Sequence, residues 1–297
     1  MADKPFILLQ RVLLAAICLA AWFTAHSARA HPGIGIVRDS RGHIFYTDLV
    51  HLWKITPAQN GKSERKRIAV HNVHTHELAL DAQGNLYGEH SWFEGEASNK
   101  WGHYVWRLSP GGQLTKVIPI TAGFLTNYSF VRDRAGTMYW IERGTPCRFM
   151  KKLSDGTARL LTTGTFKDVR WQHVTPDGTV YFVNDDDLHQ LSPDGTIKLI
   201  KSDLDEAPPS TSVVNHNLMG LWSDQQGNVY VAVANQRKVQ RISPNGRVTT
   251  VARVPHPWAP SGGLTAPDGS LWLLEYSPTN QVRVRRIVQG GKAQIFN

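Results

Sequence analysis

Cysteine is almost missing from this chain: Cys18 and Cys147 are its only two in 297 residues. Cys18 falls in a leader-like segment, and once that segment is removed Cys147 stands alone, which excludes an internal disulfide framework. Long apolar runs are missing as well. Residues 12–23 form the longest, 12 residues, well short of the roughly 20 that a membrane-spanning helix needs. Nor does charge of one sign gather anywhere in strength. The formal charge is +9, but its basic residues are scattered, and the densest group, residues 62–67, reads as a solvated loop between two strands rather than a polyanion site. Stability must therefore come from an apolar core, for which the remaining chain of about 267 residues is ample as one domain.

What the first thirty residues do contain is a secretory signal: Lys4 and Arg11, the apolar run, then Ala28-Arg29-Ala30 as an A-x-A cleavage site. Cleavage after Ala30 leaves His31 first. The leader takes three basic residues and one acidic with it, so the mature chain keeps +7 of the +9. A periplasmic or secreted protein is expected, a monomer with no membrane attachment after cleavage. Export argues against nucleic acid as a partner.

The dominant signal is repetition. A turn ending in Gly and followed by an apolar-aromatic strand recurs six times: DSRGHIFYTD, DAQGNLYGEH, DRAGTMYWIE, TPDGTVYFVN, DQQGNVYVAV and APDGSLWLLE. Its glycines, Gly42, Gly84, Gly136, Gly178, Gly227 and Gly269, are spaced 42, 52, 42, 49 and 42 apart. A second phrase, strand, tight turn, strand, follows most of them, as in YVWRLSPGGQLTKV and KVQRISPNGRVTTV. Each unit thus supplies four short strands, A to D, joined by hairpin turns. Six such antiparallel units predict an all-β, six-bladed β-propeller over residues 31–297.

Alternating strands put the A-to-B and C-to-D turns on one face of the disc and the B-to-C and D-to-A connections on the other. The first set is short and stereotyped. The second carries the extra residues that lengthen two of the spacings: SWFEGEASNKWGH in the second unit and SDLDEAPPSTSVVNH before the fifth. Variable loops on a rigid scaffold mark that face as the mouth of any site. Trp92 and Trp101 lie in the first of these loops and are expected either to pack it down or to stack on a ligand.

Strand A lines the axis, so residues equally far before each turn glycine should form rings. Eight before gives Ile34, His76, Tyr128, Arg170, Met219 and Ser261; ten before gives Pro32, His74, Thr126, Asp168, Asn217 and Ala259. Six after the glycine, at the end of strand B, come Asp48, His90, Glu142, Asn184, Val233 and Glu275. His76 is suited to move a proton, Tyr128 to donate to an oxyanion and Arg170 to hold a carboxylate. Glu142 and Glu275 could relay protons. Asp48, His74, His90, Asp168, Asn184 and Asn217 would contact the ligand, although capping of strand ends is an equally available role for the carboxylates and amides among them. A metal held by His76, His173 and His216 is excluded on height. They precede their turn glycines by 8, 5 and 11 residues, which at about 3.3 Å per residue separates successive members by roughly 10 Å. The group His74, His76 and His90 is the better metal candidate.

Through the six turn-Gly-strand phrases, four of them D-x-x-G and two P-D-G, and the S-P-x-G turns, the whole mature chain resembles NHL-repeat propellers and the gluconolactonase (SMP-30)-like superfamily. The resemblance implies a fold first and a function second. Gluconolactonase-like enzymes hold a divalent metal through Glu, Asn and Asp placed just before a Gly early in strand A; here Met219 and Ser261 stand in two such places. NHL-type peptidyl-hydroxyglycine lyases hold zinc through histidines, and His76 in HELALD matches one of those positions. The strands IFYTD and LWLLE are similar to strand B of streptogramin lyases. Together these imply action on a small, anionic or carbonyl-bearing molecule by hydrolysis (lactonase- or esterase-like) or elimination, with calcium or zinc as a conceivable cofactor. The alternative is a non-catalytic propeller that binds a ligand or a protein at the same face.

Overall fold

The computed structural model describes residues 32–59, 62–70, 75–93, 101–122, 131–142, 144–167, 169–205, 217–288, 290 and 292–297. Its strands form six four-stranded sheets, each with its strands in sequence order and every neighbour antiparallel. These are blades 1 to 6, spanning residues 36–68, 78–122, 131–164, 169–201, 218–253 and 259–296. Each inner strand A contacts the next round the ring, and strand A of blade 6 (Ala259–Thr265) meets strand A of blade 1 (Ile36–Arg38). The all-β, six-bladed propeller predicted from the repeats is the observed architecture.

The recurring phrase works through its Asp and its Gly. In blade 1 Asp39 Oδ1 accepts from the backbone N–H groups of Arg41 and His43, while Gly42 takes φ +87°, a left-handed conformation that glycine adopts without steric cost. Asp81 and Asp224 repeat this in blades 2 and 5, and each also accepts from a tyrosine hydroxyl of strand B, Tyr87 at 2.9 Å and Tyr230 at 2.8 Å. The A-to-B turn is thereby fastened to the sheet it starts.

Apolar burial lies between blades. Ile44, Tyr46 and Ile55 of blade 1 pack on Leu274, Val284 and Phe296 of blade 6, so the ring closes by side-chain packing, with the first and last sheets each built from consecutive strands. Phe149 and Phe182 join blades 3 and 4, and a larger cluster runs through blades 4, 5 and 6. Residues 62–67 depart from the loop expected of them. They belong to strand D of blade 1 (Lys62–Ile68), in register with strand C (Leu52–Gln59). At a sheet edge, long basic side chains keep their charge in water while their stems cover apolar surface: the Arg65 guanidinium lies 3.5 Å from the Trp53 ring centroid.

Candidate functional site

Strict antiparallel order places the B-to-C and D-to-A connections on one face of the disc. Residues 94–100 and 206–216 lie outside the described residues, but the strands that lead into them, Leu86–Phe93 and Ile197–Lys201, both point to that face. Much of the long second-blade loop is hairpin instead. Strands B (Leu86–Phe93) and C (Trp101–Leu108) pair all the way to Phe93 and Trp101.

On the mouth side of blade 2 the chain builds a histidine–carboxylate pair. His76 precedes strand A (Leu78–Leu80), and its carbonyl accepts from both Ile34 N (2.8 Å) and Gly35 N (2.7 Å), which fixes its backbone. Its Nδ1 lies 3.4 Å from Oε1 of Glu89. The two side chains are 12% and 3% exposed. The Glu89 carbonyl is held in turn by the Trp106 indole N–H at 3.1 Å and by the Thr75 hydroxyl. Trp106 can lie there because residue 88 is glycine: a Cβ at Gly88 would sit 2.2 Å from the ring. The second carboxylate oxygen, Glu89 Oε2, is buried and makes no hydrogen bond with the described residues. A buried carboxylate oxygen without a donor is costly, and 3.4 Å is long beside the 2.7–2.9 Å or so of a tight charge-assisted pair. Both features describe a group with room left for a hydrogen-bond donor from something else.

Glu89 is absent from the sequence-derived site, although a signal for it was present. Five residues after the turn glycine come Thr47, Glu89, Ile141, Val183, Ala232 and Leu274, all buried. One charge in an otherwise apolar or neutral phase is the anomaly that marks it. The ring one residue later is more varied. Asp48 accepts from Val50 N, His51 N, the His51 ring and the Trp53 indole. Burial raises its pKa, but these donors outweigh burial and hold the carboxyl below its usual range. Glu142 pairs with Arg148 across its hairpin at 2.8 Å. Glu275 is fully buried, with Oε2 2.7 Å from Arg283 and Oε1 2.5 Å from Arg285. The Asn184 amide donates to Asp185. His90 stacks on Trp92 and meets Tyr104 at a tilt, the three rings forming one cluster, and burial, with Lys116 nearby, pushes its imidazole down. Trp92 lies flat on Gly102, where a Cβ would fall 1.9 Å from its ring, so this indole packs its own hairpin.

The axial ring is uneven. Ile34, Met219 and Ser261 are buried, and the inner strands crowd there. A Cβ on Gly220 would lie 2.8 Å from Ser261 O, and one on Gly262 would lie 2.2 Å from Ile34 O. Ile34 thus packs against Gly220 and Gly262 of blades 5 and 6 while its N–H bonds to His76 O of blade 2, so the start of strand A in blade 1 lies among the inner strands of all three. The Asn217 carbonyl accepts from Ala234 N at 2.8 Å. His173, lower on the same wall, bonds Ser223 Oγ through Nε2 at 2.8 Å, and burial pushes its imidazole down to about 4. Tyr128, His74 and Asp168 lie outside the described residues, as do the side chains of Arg170 and Trp101. Among the described residues no three His, Cys, Asp or Glu side chains converge as metal ligands. His76 and Glu89 supply two donors, too few to hold a divalent cation by themselves.

No family model matches the chain, and no curated protein does. Solved structures do. Virginiamycin B lyase from Staphylococcus aureus superposes with a TM-score of 0.52 at 14% identity, over 89% of this chain and 84% of that one. The likeness is one of fold. A gluconolactonase from Xanthomonas campestris gives 0.57 at 12% identity over 81% and 82%. A calcium-binding regucalcin from Agrobacterium tumefaciens gives 0.54 at 14% over 82% and 81%. Lyase, lactonase and calcium-binding propellers thus share this scaffold.

Proposed function

We propose that this chain is an exported enzyme that acts on a small carbonyl-bearing molecule at the mouth of the propeller, by elimination or hydrolysis. The observation that carries the reading is the His76–Glu89 pair, largely buried beside the axis, with no donor to Glu89 Oε2 among the described residues. In this reading His76 removes a proton, from a carbon next to the carbonyl in elimination or from the attacking water in hydrolysis. It then returns the proton to the leaving group. Glu89 orients the ring and stabilises the imidazolium that forms between the two transfers. From their positions in the sequence, Tyr128 and Arg170 would hold the developing oxyanion and a substrate carboxylate. The lyase and gluconolactonase propellers on the same scaffold support this class of chemistry without choosing within it.

The test is a turnover screen across lactones, esters and cyclic depsipeptides with the wild type, His76→Ala and Glu89→Gln. General acid–base catalysis of this kind contributes about 10²–10⁴-fold. A loss of that order in His76→Ala, with the far-UV spectrum unchanged, is the expected outcome. Undiminished turnover in His76→Ala overturns the assignment, and a screen without turnover leaves the non-catalytic binder as the better reading. N-terminal sequencing of protein from the periplasm or medium should begin at His31.

A further inference from the structure

At the seam where blade 6 meets blade 1, on the mouth face, a groove of about 510 Å³ opens between two B-to-C turns. Its walls include Asp48, Val50 and His51 from blade 1, with Trp258, Asn280 and Gln281 from blade 6. The volume lies within the range of small-molecule sites. Three features of the lining specify what would occupy it.

First, the indole is preorganised. The Arg283 guanidinium lies 4.1 Å from the Trp258 ring centroid and is itself anchored by the buried Glu275. Trp258 also packs against the apolar core of blades 4 to 6, and part of it lines the groove. An aromatic plane held at the ordering cost of folding rather than of binding is a good platform for an apolar face. Second, the carboxylate in the lining is already engaged. Asp48 accepts from Val50 N, His51 N, the His51 ring and the Trp53 indole, so its oxygens are taken up by the turn that carries them. Third, planar amides remain. The side chains of Asn280 and Gln281 are exposed and form no hydrogen bond with the described residues, while the turn that carries them is closed by backbone bonds and the Ser277 hydroxyl. Each amide offers two donors and an acceptor in one plane, which suits adjacent hydroxyls.

We propose that this seam groove binds a neutral saccharide, with a pyranose C–H face on Trp258 and ring hydroxyls on Asn280 and Gln281. The site is separate from the His76–Glu89 pair and needs no turnover, so it stands or falls independently of the proposed reaction.

The experiment is calorimetric titration of the full chain with cellotriose, maltotriose, xylotriose and chitotriose, repeated with Trp258→Ala and with the double variant Asn280→Ala/Gln281→Ala. The expected result is saturable binding of at least one saccharide with a Kd of about 1 mM or tighter. Trp258→Ala should then weaken it about tenfold or more, as loss of an aromatic anchor does. The double variant changes two exposed side chains, and although alanine at 280 must take φ +58° at a modest local cost, the blade still folds, so it keeps the test valid if Trp258→Ala does not fold; a severalfold loss is expected. Absence of saturable heat with all four sugars overturns the proposal, as does binding that neither variant weakens.

Discussion

Two buried glutamates at nearly the same height on strand B have opposite surroundings. In blade 6, Glu275 has a guanidinium on each oxygen, and Arg285 also donates to the Arg253 carbonyl. In blade 2, Glu89 has one long contact to His76 and, among the described residues, no donor on its second oxygen. The first carboxylate is fully neutralised and hydrogen-bonded, the condition under which a buried charge can be held rigidly. The second is held by its backbone rather than by its charge. A carboxylate that the fold satisfies is used up, whereas one left short of donors is available to a substrate, at a cost in stability. Burial alone does not distinguish the two; the partners do.

The largest expected effect tests the blade 6 side. Glu275→Ala leaves two buried guanidinium groups without their counter-ion, which should cost about 3–5 kcal/mol, read as a lower urea midpoint at unchanged slope. A loss below 1 kcal/mol or so would mean that the clamp is solvated and the contrast false.

Next comes pH. Burial is the largest cause holding the imidazoles of His90, His173 and His189 down, with His173 at about 4. In the unfolded chain they titrate near 6.5. The unfolded state therefore binds more protons as the medium acidifies. The stability they contribute is complete above about pH 6.5 and is lost as pH falls from there towards 4. For His173 alone the loss is roughly 2–3 kcal/mol. Urea midpoints at a series of pH values across this window check it, and His173→Phe should flatten the curve. Neither glutamate is needed for this effect, so a slope that vanished with Glu89→Gln instead would redraw the comparison.

The smallest effect has the opposite sign. Glu89→Leu removes an under-satisfied charge from an otherwise apolar phase and should leave stability unchanged or raise it by about 1 kcal/mol, while abolishing any turnover that depends on His76. Thermal and chemical denaturation check the first half, and the turnover screen the second. A loss of several kcal/mol would show that Glu89 is structural, like Glu275.

The fold was readable because it is written six times. Asp39, Gly42 and their counterparts act within a few residues of one another, so their spacing alone implies hairpins, blades and a face for the connections. The site was readable only in part. His76 stood out by its phase, but its partner was hidden one residue from the ring that strand parity suggested: His90 packs with Trp92 and Tyr104, and Glu89 is the residue that reaches His76. The donors around Glu275 come from strand C, 8 and 10 residues on, and no local pattern says that they will converge on it. The basic stretch at 62–67 misled for a related reason. Charge reads as loop until a neighbouring strand supplies Trp53 for Arg65 to cover.

By itself, then, the chain's order of residues determined the repeat, the turn chemistry, the apolar phase of each strand and the face that carries the variable connections, because all of these are set by contacts a few residues long. Only the tertiary structure decided which charges are neutralised, that Ile34 packs against blades 5 and 6 while bonding to blade 2, and that a groove opens where the last blade meets the first. Those outcomes depend on groups brought together from different blades, and a charge keeps or loses its chemistry according to neighbours that are close in space and distant in the chain.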